Sequence, residues 1–231
     1  MQSNSNLSFT YNNPIHSISS AEGYEEDVMG ATMDAYLNGF EDPRRAVFFA
    51  LSSNGNYRGL RNGHKNGDIF KGDEGLSKPN IQQGTPYIWM TAAEVFFLRA
   101  EGALKQWDMK GTPEALYKSG IRASFEQHGV KNVENYLVST KVPARYPGFK
   151  ASPSAPAPSD ITVVWNTNST KKQLEQIITQ KWIANWKLGN EAWADYRRTG
   201  YPFLIPVAYN GSNVVDLSLI HISEPTRQEA I

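Results

Sequence analysis

The sequence predicts an all-α fold, mostly helical with long irregular loops, and three stretches carry that prediction. The first is TPYIWMTAAEVFFLRAEGALKQW, residues 85–107. At 3.6 residues per turn Ala92, Val95, Phe96 and Ala103 form one apolar row, with Ala93, Phe97, Ala100, Leu104 and Trp107 beside it. Only Glu94, Glu101 and Lys105 are left as a polar strip, so such a helix is expected to be covered on more than one side, with the strip facing water. The second stretch runs from Thr112 to His128. Thr112 is a good N-cap, Pro113 occupies the first helical position where no N–H is needed, and Glu114 complements the helix dipole. The third begins at Thr170, with Gln173 three places on as in a capping box, and carries Leu174, Ile177, Ile178, Trp182 and Trp186 inward.

Taken in order, residues 1–18 show no helical period and read as irregular. A helix is expected over Glu25–Asn38, with Val28, Thr32, Ala35 and Tyr36 on one face, Met29, Met33 and Leu37 beside it, and Gly39 as its stop. The run Ala46–Leu51 fits either a strand or an extended buried strut. Seven glycines between Ser52 and Pro86 break any regular pattern, so this is a long loop. The helices at 92 and 113, joined by the short turn DMKG, make a helical hairpin whose lengths suit a tetratricopeptide-type repeat. The inward row of the second helix is Tyr117, Gly120, Ile121, Ser124 and Phe125, with Ala100, Gly102 and Ala103 offering Gly120 a close contact. Residues 132–138 read as a helical turn. The Pro-, Ala- and Ser-rich VPARYPGFKASPSAPAPSDITVVW cannot be helix and forms a second long loop. After the helix at 170, ended by Leu188 and Gly189, Asn190 caps a short helix EAWADYRRT, with Trp193 and Tyr196 apolar and Gly200 and Pro202 closing it.

Composition excludes several classes of function. With 40% hydrophobic and 12% aromatic residues, 231 residues suffice for one substantial core. The 23 basic and 23 acidic residues cancel, so no electrostatic footprint for nucleic acid or an anionic membrane is present. The absence of cysteine removes disulfides, thiolate metal sites and a cysteine nucleophile. His16, His64, His128 and His221 stand apart with no ligand spacing, so no metal is expected. The acidic trio Glu25, Glu26 and Asp27 suits a helix first turn. No P-loop, GxSxG or dinucleotide fingerprint occurs, so neither a cofactor nor catalysis is expected.

Three blocks, TAAEVFFLRAEGAL, TPEALYKSGIRASFEQHGV and above all EQIITQKWIANWKLGNEAWADYRRTGYP, together with YLNGFEDPRR, resemble the SusD/RagB family of bacterial outer-membrane nutrient-binding lipoproteins. The blocks keep family order and spacing from residue 28 to about 206. The resemblance implies a SusD-like helical fold on tetratricopeptide-type hairpins, at the surface of the outer membrane. It also implies capture of glycans, or in some members peptides, for a SusC-like TonB-dependent transporter. A family member would begin with a signal peptide and a lipidated cysteine, so residues 1–215 read as part of a SusD-like domain lacking its anchor. Residues 216–231, containing LSLIHISEPTRQEAI, follow no earlier pattern and resemble a translated sequencing adapter, expected to be non-native.

Sugar binding needs flat aromatic faces and planar polar side chains. These gather in the two loops: Tyr57, Arg58, Asn62 and His64 in the first, Tyr146, Phe149 and Trp165 in the second. The competing expectation for Phe149 and Trp165 is that they pin the loop to the helices. Trp107, Trp182, Trp186 and Trp193 lie on helical stripes and are assigned to the core. The functional alternatives are a helical-repeat scaffold holding a protein segment, and an all-helical glycan-cleaving enzyme, which would need two carboxylates across a cleft.

Overall fold

A computed structural model of the chain describes residues 13–19, 27–63, 75–150 and 152–209. The central helix is α4 (Ala92–Leu104), and its neighbours follow from which of its sides are buried. In chain order the others are α1 (Pro14–Ser19), α2 (Ala31–Gly39), α3 (Arg45–Phe48), α5 (Pro113–Gln127), α6 (Val133–Leu137), α7 (Thr170–Ala184) and α8 (Gly189–Thr199). Among the described residues β structure is limited to isolated bridges. The expected all-α class therefore holds.

α4 starts where Thr91 accepts a hydrogen bond from the Glu94 amide at 3.0 Å, and α5 where Thr112 accepts from Ala115 at 3.2 Å with Pro113 in the first turn. The two form the predicted hairpin, with α7 packed across both. Their shared core is Ala93, Phe97 and Ala100 of α4, Tyr117, Ile121 and Phe125 of α5, and Ile177, Ile178 and Ile183 of α7. Gly120 is needed here, because a Cβ would sit 2.7 Å from the Phe97 ring. Phe97, not the small residues Ala100, Gly102 and Ala103, is thus what the glycine accommodates.

The polar strip of α4 is a correction. Glu94 and Glu101 are buried, at 6% and 5% exposure, while Val95 and Leu98 are 44% and 47% exposed. Burial of these carboxylates is possible because cations from α7 and α8 meet them. Lys181 Nζ lies 3.2 Å from Glu94 and 2.8 Å from Asp195. Asn185 donates to Glu94 at 3.1 Å, and Arg198 bridges Glu101 and Asp195 with one nitrogen at 2.8 and 2.9 Å. Burial raises the Glu101 carboxyl, but the bonds from Arg198 and Lys105 outweigh it and hold it below its usual range. Trp107 and Trp193, assigned to the core by their spacing, are both exposed, the first beyond the end of α4.

Other boundaries move by small amounts. α2 begins at Ala31 rather than Glu25; Asp27, Val28 and Met29 are not helical, and the Met29 and Ala31 amides are committed to the Ser77 and Leu60 carbonyls, each at 2.8 Å. Glu25 and Glu26 lie outside the described residues, as do residues 1–12 and the tail 216–231. The ambiguous run at 46–51 is neither alternative throughout: it opens as the single turn α3, then Phe49 extends to bridge Pro79. Ser169, not Thr170, caps α7 by accepting from Lys172. α7 ends at Ala184, and α8 follows with no side-chain cap, closed by Gly200 in the left-handed conformation.

A second buried cluster ties the turn before α3 to three helices. The Arg44 guanidinium, fully buried, pairs with Asp42 at 2.6 Å and donates to Ser124 of α5 at 2.9 Å and Gln180 of α7 at 2.8 Å. Tyr136 of α6 donates to Asp42 at 2.7 Å, and the rings of Phe125 and Tyr136 lie 5.1 and 5.5 Å from the Arg44 guanidinium carbon. No helix among the described residues is long and apolar enough to cross a membrane.

Candidate ligand-binding groove

The first long loop is held against α2 by its backbone before any side chain acts. Leu60 donates to the Met29 carbonyl and Ala31 donates back to Leu60, both at 2.8 Å. Gly59 allows this approach, since a Cβ there would meet the Gly30 carbonyl oxygen at 2.7 Å. Asp34, buried on α2, accepts from the Gly59 amide at 2.7 Å and from Asn38 at 2.7 Å, and Asn38 donates to the Tyr57 carbonyl at 2.9 Å. Burial pushes the Asp34 carboxyl up despite these hydrogen bonds and the Arg58 charge, which pull it down.

The sequence-derived candidates divide on this frame. Tyr57 is half-buried under the Arg45 guanidinium, 5.3 Å from its ring. Arg58 donates to the Gly148 carbonyl at 3.1 Å, joining the first loop to the second. Tyr146 is fully buried, donates to the Gly59 carbonyl at 3.1 Å, and bridges Ala155; burial raises its hydroxyl. These three lie together as the support of the loop. Trp165 stands elsewhere, half-buried with its ring 5.1 Å from that of Tyr117. His64 lies outside the described residues. Asn62 is exposed, its carbonyl accepting from Ala208 at 2.7 Å, and it lines an open groove of about 400 Å³.

The groove runs between the loop, the α7 end and the segment after α8. Its aromatic lining is Trp182 and Trp186 with Phe49 beneath, its polar groups Arg61, Asn62, Thr32 and Lys187. Trp182 leans edge-on against Tyr36 at 5.7 Å, and Trp186 is stacked on Phe48 at 4.7 Å with 14° between the planes. Arg61 is fixed by donating to the Pro206 carbonyl at 2.7 Å and the Ser154 carbonyl at 3.2 Å. Lys187 pairs with Asp27. Sequence reasoning misses Arg61, Trp182 and Trp186. The two tryptophans are half-buried, so a core stripe and a groove wall coincide in them. The usable signal was their separation of one helical turn, beside a loop arginine adjacent to Asn62. No lining residue of the groove is a carboxylate, and no three His, Asp or Glu side chains gather at metal-ligand distance among the described residues.

A family model for SusD-like proteins, described as SusD and RagB outer membrane lipoproteins, matches residues 1–224. The chain belongs to the SusD-like family. A SusD homologue from Bacteroides thetaiotaomicron is 39% identical over 89% of this chain and 45% of its own, with a TM-score of 0.79. A chitin-binding SusD homologue from Flavobacterium johnsoniae is 40% identical, over 89% of this chain and 43% of its own, with a TM-score of 0.80. A homologue from Bacteroides vulgatus reaches a TM-score of 0.81 at 36% identity over 89% and 43%. The SusD-like chain described here thus spans less than half the length of each of these structures. Comparison with curated proteins returned no match.

Proposed function

We propose that this SusD-like chain captures oligosaccharides at the cell surface and delivers them to a SusC-like TonB-dependent outer-membrane transporter, without cleaving them. The observation that carries the reading is the groove, in which Trp182 and Trp186 offer aromatic surface while Asn62 and Arg61 offer planar hydrogen-bonding groups. A C–H face of a sugar ring suits the first and ring hydroxyls the second. The chitin-binding homologue supports a glycan as the ligand class. The family's description as outer membrane lipoproteins supports the location, with any membrane contact made through a lipid anchor. Hydrolysis of a glycosidic bond ordinarily needs two carboxylates across the scissile bond, and among the described residues the groove wall carries neither Asp nor Glu, which favours binding over cleavage.

In this reading Asn62 touches the glycan, with His64 following it along the same loop. Arg58 and Tyr146 act by holding that loop to its neighbour, and Tyr57 by anchoring its start. Trp165 contributes a second aromatic contact only to a chain long enough to leave the groove. The test is calorimetry of the full chain against plant, host and microbial polysaccharides, chitin oligosaccharides among them, beside Asn62→Ala and Trp165→Ala. Binding without product formation, weakened about threefold to tenfold by Asn62→Ala as expected for one lost neutral hydrogen bond, is the expected result. Binding of peptides and of no glycan would replace it with peptide capture.

A further inference from the structure

Two cations line the groove, Arg61 and Lys187, and among the described residues no carboxylate shares the wall with them. They are not equivalent. The Lys187 ammonium is committed twice, to Asp27 and to the Trp186 ring, whose centre lies 5.7 Å away. Arg61 meets only main-chain oxygens, donating from Nε to Pro206 at 2.7 Å and from Nη1 to Ser154 at 3.2 Å. Neutral carbonyls orient a guanidinium without cancelling its charge, and Arg61 makes no ion pair among the described residues. Asp34 of α2, which meets the same loop, takes the Gly59 amide and Asn38 instead. Nη2 of Arg61 has no hydrogen-bond partner among the described residues, and the residue is half-exposed where it lines the groove. The groove therefore carries one oriented and uncompensated positive charge beside its aromatic wall. Of the two indoles Trp186 is the more encumbered, stacked on Phe48 and met by Phe49 and Lys187, whereas Trp182 makes a single edge-on contact with Tyr36. In a hexuronate the carboxylate stands on C5 at the edge of the ring, away from its C–H faces. A ring laid against an indole thus presents that group sideways, to whatever lines the groove next to the aromatic surface. A guanidinium matches a carboxylate in both charge and planar fork. A neutral hexose has a hydroxymethyl group there and gains only an ordinary hydrogen bond.

We infer that the groove selects acidic glycans, placing the carboxylate of a hexuronate unit on Arg61 while the sugar ring lies against Trp182. The inference deepens the glycan reading and rests on it. Arg61 is then the residue that sets specificity, and Asn62 serves acidic and neutral chains alike.

The experiment is calorimetry of the full chain with pairs of saccharides that share a skeleton and differ in charge: a hyaluronan hexasaccharide and its carboxyl-reduced form, and an oligogalacturonate and its methyl ester. In at least one pair the acidic member should bind about tenfold tighter, the low end for a charge-assisted pair because Arg61 is half-exposed. Added salt should shrink that gap and leave the neutral member unaffected. Arg61→Gln should abolish the gap while the neutral member still binds. Because Arg61 also holds the Pro206 and Ser154 carbonyls, a second variant avoids that residue: Asp27→Asn releases Lys187 from its carboxylate partner and should widen the gap. Equal affinity within both pairs, or a gap that survives Arg61→Gln, overturns the inference and leaves the glycan reading standing. Binding of no saccharide, acidic or neutral, removes the glycan reading and the inference with it.

Discussion

Arg44 illustrates how much one side chain can decide. Its guanidinium pairs with Asp42 and reaches Ser124 and Gln180, and no other side chain type offers five donors in a fixed fork. Arg44→Met leaves the Asp42 carboxylate buried and uncompensated, and a loss of about 3–5 kcal/mol in urea unfolding is expected. Arg44→Lys should recover little of it, since one compact ammonium cannot reach acceptors that the guanidinium meets from three separate nitrogens. His128 makes a prediction of the opposite kind, one of pH. Its folded value of about 4 lies below the ordinary 6.5, so between these values the unfolded chain holds a proton that the folded chain does not. Stability therefore rises with pH across that window and is lost as pH falls from about 6.5 towards 4. His128→Phe should flatten this part of a stability-against-pH curve while leaving its upper part unchanged.

At the scale of elements, α4 divides what a sequence can say from what it cannot. Its Thr91 cap emerges only in the structure, whereas its hairpin with α5 was legible, because Thr112 and Pro113 act on the backbone beside them. Which way it faces was not. Hydropathy ranks Glu94 and Glu101 as surface residues, whereas their burial is decided by Lys181, Asn185 and Arg198, roughly ninety residues away on α7 and α8. No local pattern pairs them. The arrangement predicts an order of costs in denaturant unfolding. Lys181→Met leaves Glu94 and Asp195 buried with their shared cation gone and should cost about 3–5 kcal/mol. Glu94→Gln keeps Asp195 for Lys181 and should cost less, about 1–2 kcal/mol. The reverse order would mean that Lys181 is not the centre of the cluster. On the outward side of α4, the double change Val95→Gln with Leu98→Gln should alter stability by no more than about 0.5 kcal/mol, since neither side chain is packed in the core. The groove follows the same division. Asn62 was readable from a loop rich in planar polar groups, while Trp182 and Trp186 were hidden because a helical stripe looks the same whether its outer edge meets protein or a groove.

For the molecule as a whole, the predicted all-helical class and family hold, and long loops make up much of the remainder. The loops are less independent than their composition suggests. The backbone pairing of Leu60 with Met29 and Ala31, the Gly59 amide on the Asp34 carboxylate of α2, and the Arg58 guanidinium on the Gly148 carbonyl join segments far apart in the chain into one support for the groove. The Asp42–Arg44 cluster extends this joining across α5, α6 and α7, with partners 80, 92 and 136 residues from Arg44. A guanidinium is costly to strip of water until all its acceptors have arrived. Any partly assembled form that closes the core before α7 docks would carry that cost without its return, so such forms are expected to be sparsely populated. The buried arginine therefore acts on the folding transition as a coincidence detector, making the union of the early and late segments all-or-none.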